Sequence, residues 1–159
     1  MTWAVVRIRG QVHLSQKVHD TLWMLHLTRA NHCVFLPQND AMKGMVQKVK
    51  DHVTWGEVSL EMVAKLLLKR GRAAGNGRIN DDYVKANSKF KSVWDFAQAL
   101  TKGEAKMTDV KGLKSVLRLH PPKGGFRGIK RSFRDFGDLG YRGDAVNRLL
   151  DRMIFEEAN

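Results

Sequence analysis

A single cysteine, Cys33, excludes any internal disulfide, so packing and hydrogen bonding must hold this chain together. It lies in the apolar run Cys33-Val34-Phe35-Leu36 without a Lys or Arg beside it, which suits a small buried thiol better than a nucleophile. Cysteine pairs at metal spacing and an HExxH pattern are missing, so His13, His19, His26, His32 and His52 suggest no metal site. Phosphate-loop motifs are missing as well: Gly75-Asn76-Gly77 lacks a third glycine, and Gly128-Ile129-Lys130-Arg131-Ser132 is not a GK[ST] loop. No stretch approaches 18 apolar residues and no cleavable apolar leader follows Met1, which argues against a membrane partner and for a cytoplasmic location. Asp81-Asp82 is the one adjacent acid pair outside the tail, placed where a helix start favours acids. Without a spaced nucleophile, base or carboxylate pair, the expectation is a non-enzyme with no cofactor, no metal and no small-molecule substrate.

Acidic charge is also scarce. Against 16 Asp and Glu stand 28 Lys and Arg, a formal net charge of +12 in 159 residues. Hydrophobic residues still make up 43%, so this charge rides on a folded core and points to a polyanionic partner. Residues 1–58 hold seven Lys/Arg against four Asp/Glu, +3, and residues 59–159 hold 21 against 12, +9.

The period of the apolar residues predicts an α+β fold with two segments. In residues 1–58, Trp3 to Arg9 alternates as a strand with Ala4, Val6 and Ile8 on a dry face and Arg7 and Arg9 on the other. Ser15 caps a helix carrying Val18, Leu22 and Leu25, and Cys33 to Leu36 is a second strand stopped by Pro37. Asn39 or Asp40 caps a helix striped with Met42, Met45, Val46 and Val49, in which Gly44 suggests close approach of another backbone. Val53 to Val58 is a third strand. The expected core is therefore a compact β-α-β-α-β unit, a three-stranded antiparallel sheet with both helices on its dry face and an open face bearing Arg7 and Arg9. That open face suits RNA, with a merely solvated sheet as the alternative.

Residues 59–159 read as an extension of helices and loops. Ser59 starts a helix ended by Gly71, followed by a basic, glycine-rich turn with Arg70, Arg72 and Arg78, either a linker or a phosphate contact. Asn80 to Lys91 is ambiguous, Ser92 caps a helix to Gly103, Val116 to Leu119 is a short strand, and Asp144 caps a last helix with Arg148 and Arg152 on its outer face. Between these lies the stretch from His120 to Gly143. It holds six Lys/Arg (Lys123, Arg127, Lys130, Arg131, Arg134, Arg142), two Asp, six Gly and four aromatics. Neither period survives in it, so it is a loop, and its cations with interleaved Phe126, Phe133, Phe136 and Tyr141 fit phosphates and bases. Each aromatic could equally dock the loop onto its own protein. Duplex DNA is the poorer target, because no helix-turn-helix or zinc-finger spacing is present.

Several segments carry a family resemblance: AVVRIRG, NHCV, KGMVQKVKDHVTWGE, RLHPPKGGFRGIKRSF and DLGYRGDAVNRLLDRMI. Together they resemble the archaeal form of a universal large-subunit (50S) ribosomal protein, the L-thirty family, whose eukaryotic relatives are called L-seven. The resemblance implies a structural, rRNA-binding constituent of the ribosome, with 23S-type rRNA, 5S rRNA and neighbouring large-subunit proteins as partners. A free-standing RNA chaperone or regulator is the alternative. The candidate RNA-binding residues are Arg7, Arg9, Arg70, Arg72, Arg78, His120, Lys123, Arg127, Lys130, Arg131, Arg134, Tyr141, Arg142, Arg148 and Arg152.

Overall fold

The computed structural model describes residues 1–154. Its first half runs β1 (Thr2–Arg7), α1 (Gln16–Met24), β2 (His32–Pro37), α2 (Asp40–Lys48) and β3 (Val53–Glu57), the order expected from the sequence. Then follow α3 (Leu60–Arg70), α4 (Asp81–Asn87), α5 (Val93–Lys102), β4 (Leu117–Arg118), β5 (Gly140–Tyr141) and α6 (Ala145–Met153).

β1 is the middle of the sheet. It pairs antiparallel with β2, Val5 opposite Val34, and with β3, Val5 opposite Trp55. The antiparallel trio matches the expectation, but the sheet is wider. Two-residue strands from the second half extend it at both edges, giving the order β4-β2-β1-β3-β5, with β5 parallel to β3. Such short strands carry no period of their own and exist because a neighbouring edge offers unpaired amides.

Helices α1 and α2 do share one face, but it is the face of Val5 and not the Ala4/Val6/Ile8 face. Val5 packs with Leu22, Leu25, Leu27, Val46, Val49 and Trp55, whereas Ala4, Val6 and Cys33 pack with Val63, Leu67, Phe96, Leu117, Leu150 and Met153 from the second half. The expected open face, which carries Val5 and Arg7, is therefore closed by α1 and α2, and the expected dry face is covered by α3, α5 and α6. The physical reason lies in β1, where Ala4-Val5-Val6 is apolar at both parities, as in a strand buried on both sides.

Side-chain caps set three of the six helix starts among the described residues. Asn39 Oδ1 accepts from the Met42 amide (2.8 Å), Ser59 Oγ from Met62 (3.3 Å) and Ser92 Oγ from Asp95 (3.1 Å). Gly103 closes α5 in the left-handed region at φ 82°. Ser15 and Asp144 occupy N-cap positions without side-chain capping bonds. In the ambiguous polar stretch, α4 buries only Val84, and Asp81 Oδ1 accepts from the Val93 amide (2.8 Å), tying α4 to the start of α5.

Gly44 does not mark a close approach: a Cβ there would meet nothing within 4 Å. Gly56 does, because a Cβ on it would overlap the backbone carbonyl of Gly143, where β3 meets the turn into α6.

Candidate nucleic-acid interface

The stretch from His120 to Gly143 leaves the sheet at one edge, after β4, and returns at the other as β5. Between those anchors it lies against α6. The His120 amide donates to Met153 O (3.2 Å) and the Lys123 amide to Arg152 O (2.9 Å). In return the Arg152 guanidinium donates to the carbonyls of Lys123 (2.9 and 2.6 Å) and Gly125 (2.5 Å). A segment with few apolar residues is thus held by backbone hydrogen bonds at many points.

Asp138 is the centre of this frame. Its Oδ2 accepts from the amides of Arg127 and Gly128, and its Oδ1 pairs with Arg142 Nη2 at 2.9 Å. Arg142 also donates from Nε to Thr54 Oγ1 (2.7 Å) on β3, and Thr54 Oγ1 donates to Gly140 O (2.8 Å) on β5. The Arg142 guanidinium stacks 4.9 Å from the centre of the Phe133 ring. Burial pulls its pKa down, while the hydrogen bond and charge of Asp138 pull the other way. A further turn sits inside the loop, where the Phe133 amide donates to Leu139 O (2.8 Å), the Leu139 amide to Arg131 O (3.1 Å), and the Gly137 amide to Ser132 O (2.8 Å).

What this frame presents outward is basic. Lys123, Arg127, Lys130, Arg131 and Arg134 are exposed, and Phe136 at their side is 83% exposed with a left-handed φ of 59°. Phe126 and Phe133 are half-buried and turned to protein. Tyr141 is half exposed. Its ring lies near Trp55 and its hydroxyl donates to the Glu57 carboxylate (2.8 Å), a bond that raises its pKa.

Arg127, Arg142, Arg148 and Arg152 come together along a cleft of about 220 Å³ between the loop and α6. Other candidates lie elsewhere. Arg7, expected on an open face, is 1% exposed, and its guanidinium donates to the carbonyls of Leu27 (2.6 Å), Arg9 (2.9 Å) and Gly10 (3.1 Å). It pins the loops around β1, and burial lowers its pKa. Arg142 is likewise spent internally, at 8% exposed. Arg9 is half-buried toward Asp51 O (3.4 Å). Arg72 folds back on the carbonyls of Lys69 and Gly71, and its backbone bridges to that of Arg78 in a tight turn, with Arg70 half-buried and Arg78 exposed. His120 is exposed at the mouth of the loop.

Sequence reasoning missed the acceptors that build the frame, Asp138, Thr54 and Glu57. The available signal was Asp138 itself, an acid inside an otherwise basic glycine-rich run. It also missed Arg29 and Arg118, exposed near His32, whose pKa falls through burial and then through those two arginines and Arg7.

A sequence model of the family described as ribosomal protein L30p/L7e matches residues 3–53. Large ribosomal subunit protein uL30 of Methanosphaera stadtmanae is 44% identical over 152 residues, covering 96% of this chain and 99% of its own. The uL30 protein of Methanoregula boonei is 45% identical over 152 residues, covering 95% and 99%. That of Methanoculleus marisnigri is 45% identical over 151 residues, with the same coverage. Identity at this level, spread over β1 to α6 and not confined to the first half, means that the chain belongs to the ribosomal protein L30p/L7e family as a relative of the archaeal uL30 proteins.

Proposed function

We propose that this chain is a non-enzymatic structural constituent of the large ribosomal subunit, and that its loop 120–143 lies against folded 23S-type rRNA near the 5S rRNA. The observation that carries the assignment to the loop is its two-edged anchoring: five exposed cations sit on backbone fixed by Asp138, Arg142 and Arg152. A loop fixed in advance loses little entropy on binding, so counterion release from phosphates goes largely into affinity.

Within this reading Lys123, Arg127, Lys130, Arg131 and Arg134 contact phosphates, and Phe136 is the aromatic that meets a base or fills a gap in the RNA. Arg7 and Arg142 act indirectly by holding backbone. Arg148 faces phosphate from α6 beside the loop, Arg9 and Arg78 are peripheral contacts, and Arg70 and Arg72 support their turn.

Salt-washed large-subunit particles test it. The tagged chain is expected to stay with the particles through a high-salt wash and to crosslink to 23S-type rRNA through the 123–136 segment. Release into the soluble fraction, or crosslinks confined to the α1/α2 side, would overturn the assignment.

A further inference from the structure

We infer that the cleft between the loop and α6 is a built pocket for a phosphate-centred oxyanion, filled in the particle by one RNA phosphodiester. The RNA occupant rests on the function proposed above, whereas the anion pocket stands on its own geometry. Arg127, Arg142, Arg148 and Arg152 line a concavity of about 220 Å³ with Phe133 and Asp138. Asp138 is the one acid among these six residues, and its carboxylate is already spent on two amides and on Arg142. Four cations against one carboxylate leave +3 in a concave site with apolar walls, which concentrates the field.

The cations divide by role. Arg142 and Arg152 are fixed by internal acceptors, so they define the floor without needing a ligand to order them. Arg127 and Arg148 are exposed, and neither guanidinium has a hydrogen-bond partner among the described residues. Arg148 and Arg152 stand four apart on α6 and therefore share one face of it. Guanidinium forks held this way match the tetrahedral oxygens of a phosphate better than ammonium groups would. Arg127 and Arg152 also push the Arg142 pKa downward by like-charge repulsion. An anion in the cleft relieves that repulsion.

The test is thermal unfolding of the purified full chain in sodium pyrophosphate, against sodium chloride at matched ionic strength. A saturable rise in Tm specific to pyrophosphate is expected, because a ligand of the native state alone stabilises it by mass action. Arg148→Ala should weaken pyrophosphate binding by about tenfold or more, the worth of one charge-assisted hydrogen bond. Lys43→Ala, exposed on α2 and outside both the cleft and the loop, should leave the Tm rise intact. An equal response to chloride, or a response unchanged in both Arg148→Ala and Arg127→Ala, would overturn the pocket.

A single-stranded oligoribonucleotide supplies the second arm. Displacement of pyrophosphate by it supports the phosphodiester, and pyrophosphate binding without such competition refutes the RNA occupant. Loss of the pocket alongside retention on salt-washed particles refutes this inference alone. Release from the particles with pyrophosphate binding intact refutes the functional reading instead.

Discussion

Asp138 and Arg142, four residues apart and with side chains only 6% and 5% exposed, form the buried ion pair on which the basic loop is built. Their attraction is one part of the arrangement. The same carboxylate collects the Arg127 and Gly128 amides, and the same guanidinium reaches Thr54 on β3, so a flexible segment is tied to the most rigid layer of the protein. Removing either partner leaves the other charged, desolvated and alone.

Asp138→Ala is accordingly expected to cost about 3–5 kcal/mol of folding stability, the range for an orphaned buried charge. Urea denaturation measures the loss, and hydrogen exchange at the Arg127 and Gly128 amides should accelerate together. A cost below about 1 kcal/mol would show that water reaches the pair.

Replacing Arg127, Lys130 and Arg131 together by alanine should weaken RNA association while leaving the fold intact, because all three are exposed. The plot of log affinity against log salt should flatten by about 0.7 to 0.9 for each phosphate that the protein no longer neutralises. An unchanged slope in filter binding would remove these residues from the phosphate set.

Phe136 combines a bulky side chain with a left-handed backbone and 83% exposure, so its side chain contributes little to the fold and its backbone is strained. Phe136→Gly should raise folding stability by about 1 kcal/mol. It should weaken RNA binding by about 1–3 kcal/mol, the worth of one stacked or inserted ring. Opposite signs from calorimetric unfolding and RNA titration are the result to look for; a stability loss would mean the ring packs on protein.

Two glycines in the first half should respond oppositely to alanine. Gly56→Ala drives a methyl into the Gly143 carbonyl and is expected to cost about 1–3 kcal/mol, whereas Gly44→Ala meets nothing and should gain about 1 kcal/mol of helix propensity. Equilibrium unfolding of the two variants decides both, and a destabilised Gly44→Ala would reveal a contact on that helix face.

The Cys33 thiol is fully buried, and burial pushes its pKa up to about 12. Since the folded value lies above the unfolded one, the unfolded chain sheds this proton first as pH rises, and stability falls from the ordinary thiol range up toward the folded pKa. Below that range the group adds no pH dependence. Cys33→Ala should therefore flatten the alkaline decline in urea midpoint, and alkylation of the native protein should be slow until it unfolds.

Element types were legible where they rest on local chemistry. Alternation made β1, while Asn39, Ser59 and Ser92 marked three helix starts through bonds to amides three residues on. The loop was legible from Pro121, Pro122 and its glycines, and its basic character from Lys130, Arg131 and Arg134. Less legible was α4, whose single buried residue, Val84, leaves no apolar stripe to read. Strands β4 and β5 are two residues each and depend on the edges of β2 and β3.

The sequence by itself determined the three long strands, the capped helices and the basic loop, and that most of the excess positive charge lies in the second half, since these depend on neighbours within about one helical turn. Only the tertiary structure decided which arginines face solvent. Arg7 and Arg134 carry the same group, yet one is clamped by three carbonyls and the other stands exposed. A guanidinium's role depends on the acceptors that folding brings to it, and those of Arg142 on Thr54 and of Arg7 on Leu27 lie 88 and 20 residues away in the chain. Such distances leave no pattern in the sequence.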